Sequence, residues 1–270
     1  MLYGNQSGFR SFHFCESILI KMTDECMAND LFTGAVFIDL RKAFDTVDHD
    51  LLIKRLHVYG MDPNTINWFQ SYLNGRYQQV CVGGHLSDPL LIASGVPQGS
   101  IIGPVLFLLF VNDFPLFTEN NVDLYANDTT IYTSDPSVLN IEEKLESHSD
   151  ILRAVKWSKE NKMKIHPDKI KCMIISSRQK LKTSSKQSLN LALYSDNKIK
   201  QVVSEKCLGV YVDNHRTWTT HIEELCKKLR KRIALLARMC KYLPSQYRLL
   251  IYSASIKLVA LFGATVVLDS

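Results

Sequence analysis

Residues 122–133 constrain the chain more than any other stretch. An apolar and aromatic lead-in (Val122, Leu124, Tyr125) meets a Thr/Ile/Tyr lead-out that runs from Thr129 to Thr133. β-formers on both sides of short polar residues predict a β-hairpin with Asn127-Asp128 as its two-residue centre. Such a turn holds the Asp128 carboxylate out at its tip, where it can face a divalent cation. One carboxylate is a weak magnesium site, because Mg2+ is usually held by carboxylates together with substrate phosphates. A partner is therefore expected elsewhere in the chain.

Ala35 to Leu40 reads as a short β-rich run whose tail exposes Asp39. A buried strand that delivers a carboxylate at one end is an active-site layout; the alternative is an aspartate that caps the next turn. Gly95-Val96-Pro97-Gln98-Gly99-Ser100 reads as a tight loop entering an apolar helix at about 101–111. Glycine-flanked loops of this kind let backbone approach a substrate and offer it N–H groups, or simply turn the chain.

Around these features, apolar spacing predicts helices near 18–27, 51–59 and 141–157, a long one from a Thr219 or Thr220 cap to about Leu243, and another over 246–259. Asp62-Pro63 predicts an N-cap and first turn for a further helix, which Asn74-Gly75 stops. Hairpins are expected over 77–93 and 191–203, and strands at 172–175 and 206–212. Leu181 to Leu189, rich in Lys and Ser, reads as a mobile loop.

The chain has 270 residues, enough for one large domain or two small ones. The formal charge is +5 and uneven: Lys227 to Arg232 places five basic residues in six. That cluster suits a polyanion partner or a solvated helix face. Seven cysteines without a CxxC pair read as reduced thiols of an intracellular protein, nuclear or cytoplasmic. Cys207, His215, His221 and Cys226 have spacings outside the standard zinc patterns. No secretory signal is read, and no membrane partner is expected. Ile101 to Val111 is too short to span, and Ile251 to Leu268, interrupted by Lys257, reads as a buried helix and strand.

Three ordered segments carry a family resemblance. Phe37-Ile38-Asp39-Leu40-Arg41-Lys42-Ala43-Phe44-Asp45-Thr46-Val47-Asp48-His49 resembles the first palm motif of a reverse transcriptase of the non-LTR (LINE-type, jockey-like) retrotransposon group. Ser94 to Ser100 resembles its second, and Tyr125-Ala126-Asn127-Asp128 its tyrosine-x-aspartate-aspartate hairpin. Gln6-Ser7-Gly8-Phe9-Arg10 is similar to a fingers motif, Lys169 to the lysine of the fourth palm motif, and Lys206 to Val210 to the primer grip.

The resemblance implies an α+β right-hand polymerase. Partial fingers would cover 1–33. An antiparallel palm would cover 34–204, with a fingers insertion at about 75–94. The primer-grip region and a partial helical thumb would cover 205–270. It implies RNA-directed DNA synthesis from an RNA template, a DNA primer and dNTPs at two Mg2+ ions about 4 Å apart. Asp39 and Asp128 would be the metal ligands, with Asn127 beside them. Lys169 would be the acid for the leaving pyrophosphate and Arg10 the triphosphate contact. Phe44 would exclude a ribose 2′-hydroxyl, and Gln98 and Gly99 would bind substrate. The oligomeric state is left open.

One departure stands at the centre. The family has two aspartates in the hairpin, and this chain has Asn127 in the first position. An amide keeps an oxygen but removes a full negative charge where dications gather. The expectation is impaired synthesis, with Mn2+ as a partial substitute. The family's polyproteins usually carry an endonuclease before the polymerase and further sequence after the thumb, so the chain reads as a fragment of an element copy. A catalytically inactive nucleic-acid-binding remnant or a pseudogene product is the alternative.

Overall fold

The computed structural model describes residues 2–10, 13, 15–28, 30–146, 150–194 and 197–268. Helix α1 (Cys15–Ala28) precedes strand β1 (Phe32–Arg41), which is the centre of the molecule. Helices α2 (His49–Val58) and α3 (Pro63–Leu73) begin at Asp48 and Asp62, whose carboxylates accept N–H bonds from the first turns as caps should. Four two-residue strands follow: β2 (Tyr77–Gln78), β3 (Cys81–Val82), β4 (His85–Leu86) and β5 (Leu90–Leu91). They form an exposed ribbon in which β2 pairs with β5 and β3 with β4. Helix α4 (Ile102–Val111) leads to β6 (Asn121–Tyr125) and β7 (Asp128–Asp135).

Next come α5 (Val138–Glu146), α6 (Asp150–Glu160), β8 (Lys164–Ile165), β9 (Lys171–Ile175) and α7 (Arg178–Thr183). The short strands β10 (Ala192–Tyr194), β11 (Asn197–Lys198) and β12 (Lys200–Gln201) are followed by the hairpin β13 (Ser204–Cys207) and β14 (Val210–Asp213). Helices α8 (Thr219–Met239), α9 (Ser245–Ile251), α10 (Leu258–Leu261) and α11 (Ala264–Leu268) end the described chain, with a π-helical turn over 252–257.

The main sheet has the order β12-β9-β1-β7-β6, with β8 paired to the end of β1. Its pairings are antiparallel except for β12 against β9 at the edge. Strand period decides what each face buries. Val36, Ile38, Leu40, Ile131, Cys172 and Ile174 pack on the face covered by α2, α4, α5 and α6. Ala35, Tyr132, Met173 and Ile175 pack on the other, against Leu19, Val210, Val212 and Trp218. The sheet is thus covered on both faces, an α+β arrangement.

Several local expectations change. The 141–157 segment is helical up to Glu146 and again from Asp150, and residues 147–149 between them lie outside the described residues. The fully buried Asp150 carboxylate takes the N–H groups of Glu119 and Asn120 (both 3.0 Å) and ties α6 to that loop. The 206–212 strand is a hairpin that turns at Leu208-Gly209, both at positive φ. Helix α8 is capped by neither Thr219 nor Thr220. Trp218 is in the left-handed region, and Asp213 accepts from the N–H groups of His215, Thr217 and Trp218. The 181–189 loop is partly helical and tied down, since Leu189 is buried and Lys186 pairs with Glu142 at 2.6 Å. Residues 264–268 are helix rather than strand, and most of the segment before them is exposed, including Leu258 and Leu261. The path over Ser245–Val267 is long and apolar enough to cross a membrane by length and composition. Lys257 lies in its middle, and Glu16 of α1 ties its end through Gly263 N and Thr265 Oγ1 (2.7 Å each).

Candidate active site

The last ladder pair of the central hairpin is Tyr125 with Asp128, so its two turn residues are Ala126-Asn127, one place earlier than expected. The positive φ falls on Ala126 (54°) rather than on Asn127. An alanine there costs about 1–2 kcal/mol. The N-terminal segment braces this turn. Ser7 N–H donates to Leu124 O at 2.8 Å and Leu124 N–H to Asn5 O at 3.1 Å. Gly8 lies so close that a Cβ on it would sit 2.4 Å from Ala126 N.

Register assembles the acidic pair. In β1 and β7, Asp39 is directly opposite Asp128, and directly opposed residues share a face. The partner that a lone hairpin carboxylate requires is therefore supplied by the neighbouring strand. Burial pushes the Asp128 carboxyl above its usual range, Asp39 pushes it further, and Lys169 partly offsets both. Asp128 as a whole residue remains exposed to solvent.

Asp39 has donors on both oxygens. Lys169 Nζ donates to Oδ2 at 2.6 Å, and Asn127 Nδ2 lies 3.4 Å from Oδ1. Lys169 reaches Asp39 because β8 pairs with Leu40-Arg41 and the 167–169 turn then folds back, with His166 N–H donating to Asp39 O at 3.0 Å. A cleft of about 450 Å³ opens here, lined by Asp39, Lys42, Phe44, Gln98, Asn127, His166 and Lys169 among others.

The remaining sequence-derived candidates divide. Phe44 lines the cleft and is fixed from below by stacking on Phe107 at 4.4 Å, with Phe9 edge-on at 6.2 Å. Gln98 lines it too, with Nε2 donating to Asp45 Oδ1 at 2.6 Å. Gly99 is at the exposed end of the same loop, outside the cleft lining. Arg10 is also outside it: its Nη1 donates to the carbonyls of Tyr3 (3.1 Å) and Gln6 (2.9 Å) and closes its own loop. The N–H groups of Gly95 and Val96 are engaged by Val47 O (2.7 Å) and Phe44 O (2.8 Å), so they dock the loop rather than face a substrate. A Cβ on Gly95, whose φ is +91°, would lie 2.8 Å from Asp45 Cα. Sequence reasoning gave no role to Asp45 or His49, although both lie in the quoted motif; His49 Nε2 meets Gly95 O at 2.8 Å.

Behind the hairpin, Cys207 is buried and its thiol is pushed up to about 12 by desolvation, with Asp128 adding to the shift. It is an apolar wall of the site rather than a nucleophile. Among the described residues there is no group of three or more His, Cys, Asp or Glu side chains that could hold a metal ion. The donor set still fits a cation. Two opposed carboxylates, one raised by the other, are what a dication relieves, and two carboxylates with substrate phosphates suffice for Mg2+.

Two opposed carboxylates thus stand at the end of an antiparallel sheet, beneath a braced hairpin and beside a cleft walled by Phe44. Residues 2–234 match the family described as reverse transcriptase (RNA-dependent DNA polymerase). The chain belongs to the reverse transcriptase family. It is similar to the RNA-directed DNA polymerase from mobile element jockey of Drosophila melanogaster, at 30% identity over 241 residues, covering 85% of this chain and 25% of the relative. It is similar to the probable RNA-directed DNA polymerase from transposon BS of the same fly, at 28% over 244 residues, 86% of this chain and 26% of the relative. The chain thus spans about a quarter of the length of these relatives. Apo telomerase from Candida tropicalis, truncated from its C-terminal domain, shares the fold at a TM-score of 0.51 and 11% identity, over 77% of this chain and 39% of that one. Reverse transcriptases use divalent metal ions.

Proposed function

We propose that the chain is the polymerase part of a non-LTR retrotransposon reverse transcriptase, and that it binds primer–template and dNTP but extends the primer poorly. The observation that carries this is the hairpin tip. Asp39 and Asp128 are opposed, and the third place holds Asn127, whose amide nitrogen faces Asp39.

Asp39 and Asp128 would hold divalent metal, Mg2+ or, with a looser demand on geometry, Mn2+. When bound, the metal supplies activation of the primer 3′-oxygen and neutralises charge on the phosphate. The protein's own groups do the rest. Phe44, rigid on Phe107, gives a flat wall against the sugar. Lys169 holds a proton at Nζ beside Asp39, within the cleft where pyrophosphate would leave. Gln98 faces the same space. The Lys227–Arg232 face of α8, mostly exposed, suits a nucleic-acid backbone without reading sequence. In the family's architecture, β1, β6, β7 and β9 would be the palm and α8 onward the thumb, and the protein would act in the nucleus or cytoplasm.

Primer extension on an RNA template, beside an Asn127→Asp version, tests the proposal: poor extension by the parent and strong extension by the variant support it. A second reading, a binding protein without catalysis, rests on the basic face of α8. Salt-sensitive duplex binding with no synthesis by either protein would select it.

A further inference from the structure

We infer that Asp45 is a positioning residue for Gln98: its carboxylate orients the Gln98 amide so that the carbonyl oxygen, not the NH2 group, faces the cleft. This rests on the reading of the cleft as a nucleotide site. An amide has a donor end and an acceptor end, whereas an ionised carboxylate only accepts. With Nε2 donating to Asp45 Oδ1 at 2.6 Å, Oε1 occupies the opposite branch of the same planar group. Gln98 lines the cleft together with Asp39, Phe44, Asn127 and Lys169.

The pair is exposed, and two mobile surface side chains would hold no fixed orientation. Here the backbones beneath them are joined. Asp45 N–H donates to Lys42 O at 2.9 Å, and Ser94 Oγ donates to Asp45 O at 3.1 Å. Gly95 packs against the Asp45 main chain at a distance only glycine allows, with its N–H on Val47 O. His49, buried, holds Gly95 O from the other side; a carbonyl accepts, so Nε2 carries the proton. Three residues after Gly95, Gln98 therefore starts from a fixed point relative to Asp45. The cleft then presents an acceptor at this point, matched to a hydroxyl or amino donor on the nucleotide or its template partner.

The test measures the Kd of the templated dNTP for the full chain bound to an RNA–DNA primer–template whose primer ends in a dideoxynucleotide, so that no bond forms. Gln98→Glu sets two carboxylates against each other and is expected to weaken binding about tenfold, a hydrogen bond of about 1.4 kcal/mol. Asp45→Asn retains an acceptor and stays within about twofold of the parent. In the double variant the new amide at position 45 donates to the new carboxylate at position 98, whose second oxygen faces the cleft, and binding returns to within about threefold. A double variant as weak as Gln98→Glu alone overturns the inference, as does a Gln98→Glu protein that binds like the parent. Tightening by Asp45→Asn equal to the loss in Gln98→Glu also overturns it, because net charge alone would produce that pattern. A parent chain that binds duplex but no nucleotide overturns the nucleotide reading of the cleft and this inference with it.

Discussion

Asn127→Asp should change the sign of a stability effect as metal is added. In the metal-free protein the new carboxylate would stand where Asn127 Nδ2 now lies, 3.4 Å from Asp39 Oδ1. Two unit charges at that separation repel by about 5 kcal/mol at an effective dielectric of 20 and by about 1 kcal/mol in bulk water. Asp39 is partly exposed, and Lys169 already neutralises its other oxygen at 2.6 Å, so the lower end applies. The variant should lose about 1 kcal/mol in EDTA, a fall in unfolding midpoint of about 2–4 °C for a domain of this size. With millimolar Mg2+ or Mn2+ the extra carboxylate becomes a ligand, and the midpoint should rise above that of the parent under the same conditions. The same charge supplies transition-state stabilisation. Recovering about 4 kcal/mol raises the extension rate about 10³-fold. Thermal unfolding with EDTA and with metal, and single-turnover primer extension, read the two effects separately. Equal extension rates from parent and variant, or midpoints that do not cross on adding metal, would refute the reasoning.

Removing Lys169 takes away the one neighbour that lowers the Asp128 carboxyl. In Lys169→Met its titration, followed by carboxyl carbon NMR without metal, should move to higher pH, and divalent ions should bind more tightly at neutral pH because Asp39 Oδ2 is freed. Arg55→Leu should cost about 3 kcal/mol, seen as a midpoint lower by about 6–12 °C. Its largely buried guanidinium lies over Phe110 at 4.4 Å and donates to Asp113 at 2.9 Å and Asn161 at 2.5 Å. Gly95→Ala should cost at least about 2 kcal/mol, since positive φ alone costs about 1–2 kcal/mol and the new methyl meets the Asp45 backbone. The Asp135 carboxyl is raised by burial, but bonds from Lys144, Ser137 and Asn140 outweigh this and hold it below its ordinary value. Its folded pKa being the lower, its stabilisation is complete above the ordinary carboxylate range and is lost as pH falls. Asp135→Asn should therefore flatten the acid side of the midpoint–pH profile.

How far the chain could be read from its residues depended on the range of the interactions. Helices α2 and α3 were legible because their causes are local: Asp48 and Asp62 as caps, Pro63 in the first turn, and Gly60 and Asn74 at the ends. The β-rich run from Ala35 to Leu40 within β1 and the hairpin β6–β7 were legible for the same reason. The turn centre was misplaced by one residue because Ala126 holds a conformation that its own side chain disfavours. It does so under the brace of residues 5–8, which lie over a hundred positions away in sequence. Trp218 at the start of α8 is a similar case, since Asp213 caps the helix from outside it. The 264–268 segment, which a β-branched run makes look like a strand, is helical where its first turn docks on Glu16 of α1.

For the site, the residues alone determined its chemistry: a carboxylate at a strand end, a carboxylate at a hairpin, an amide where the family has an acid, and the ordered motifs that name the family. What only the tertiary structure decided is who meets whom. The β1–β7 register places Asp39 opposite Asp128, β8 swings Lys169 onto Asp39, and the Gly95 contact sets Gln98 beside Asp45. These are pairings between segments tens of residues apart. A sheet shifted by one residue would turn each side chain to the other face, so no local pattern could specify them.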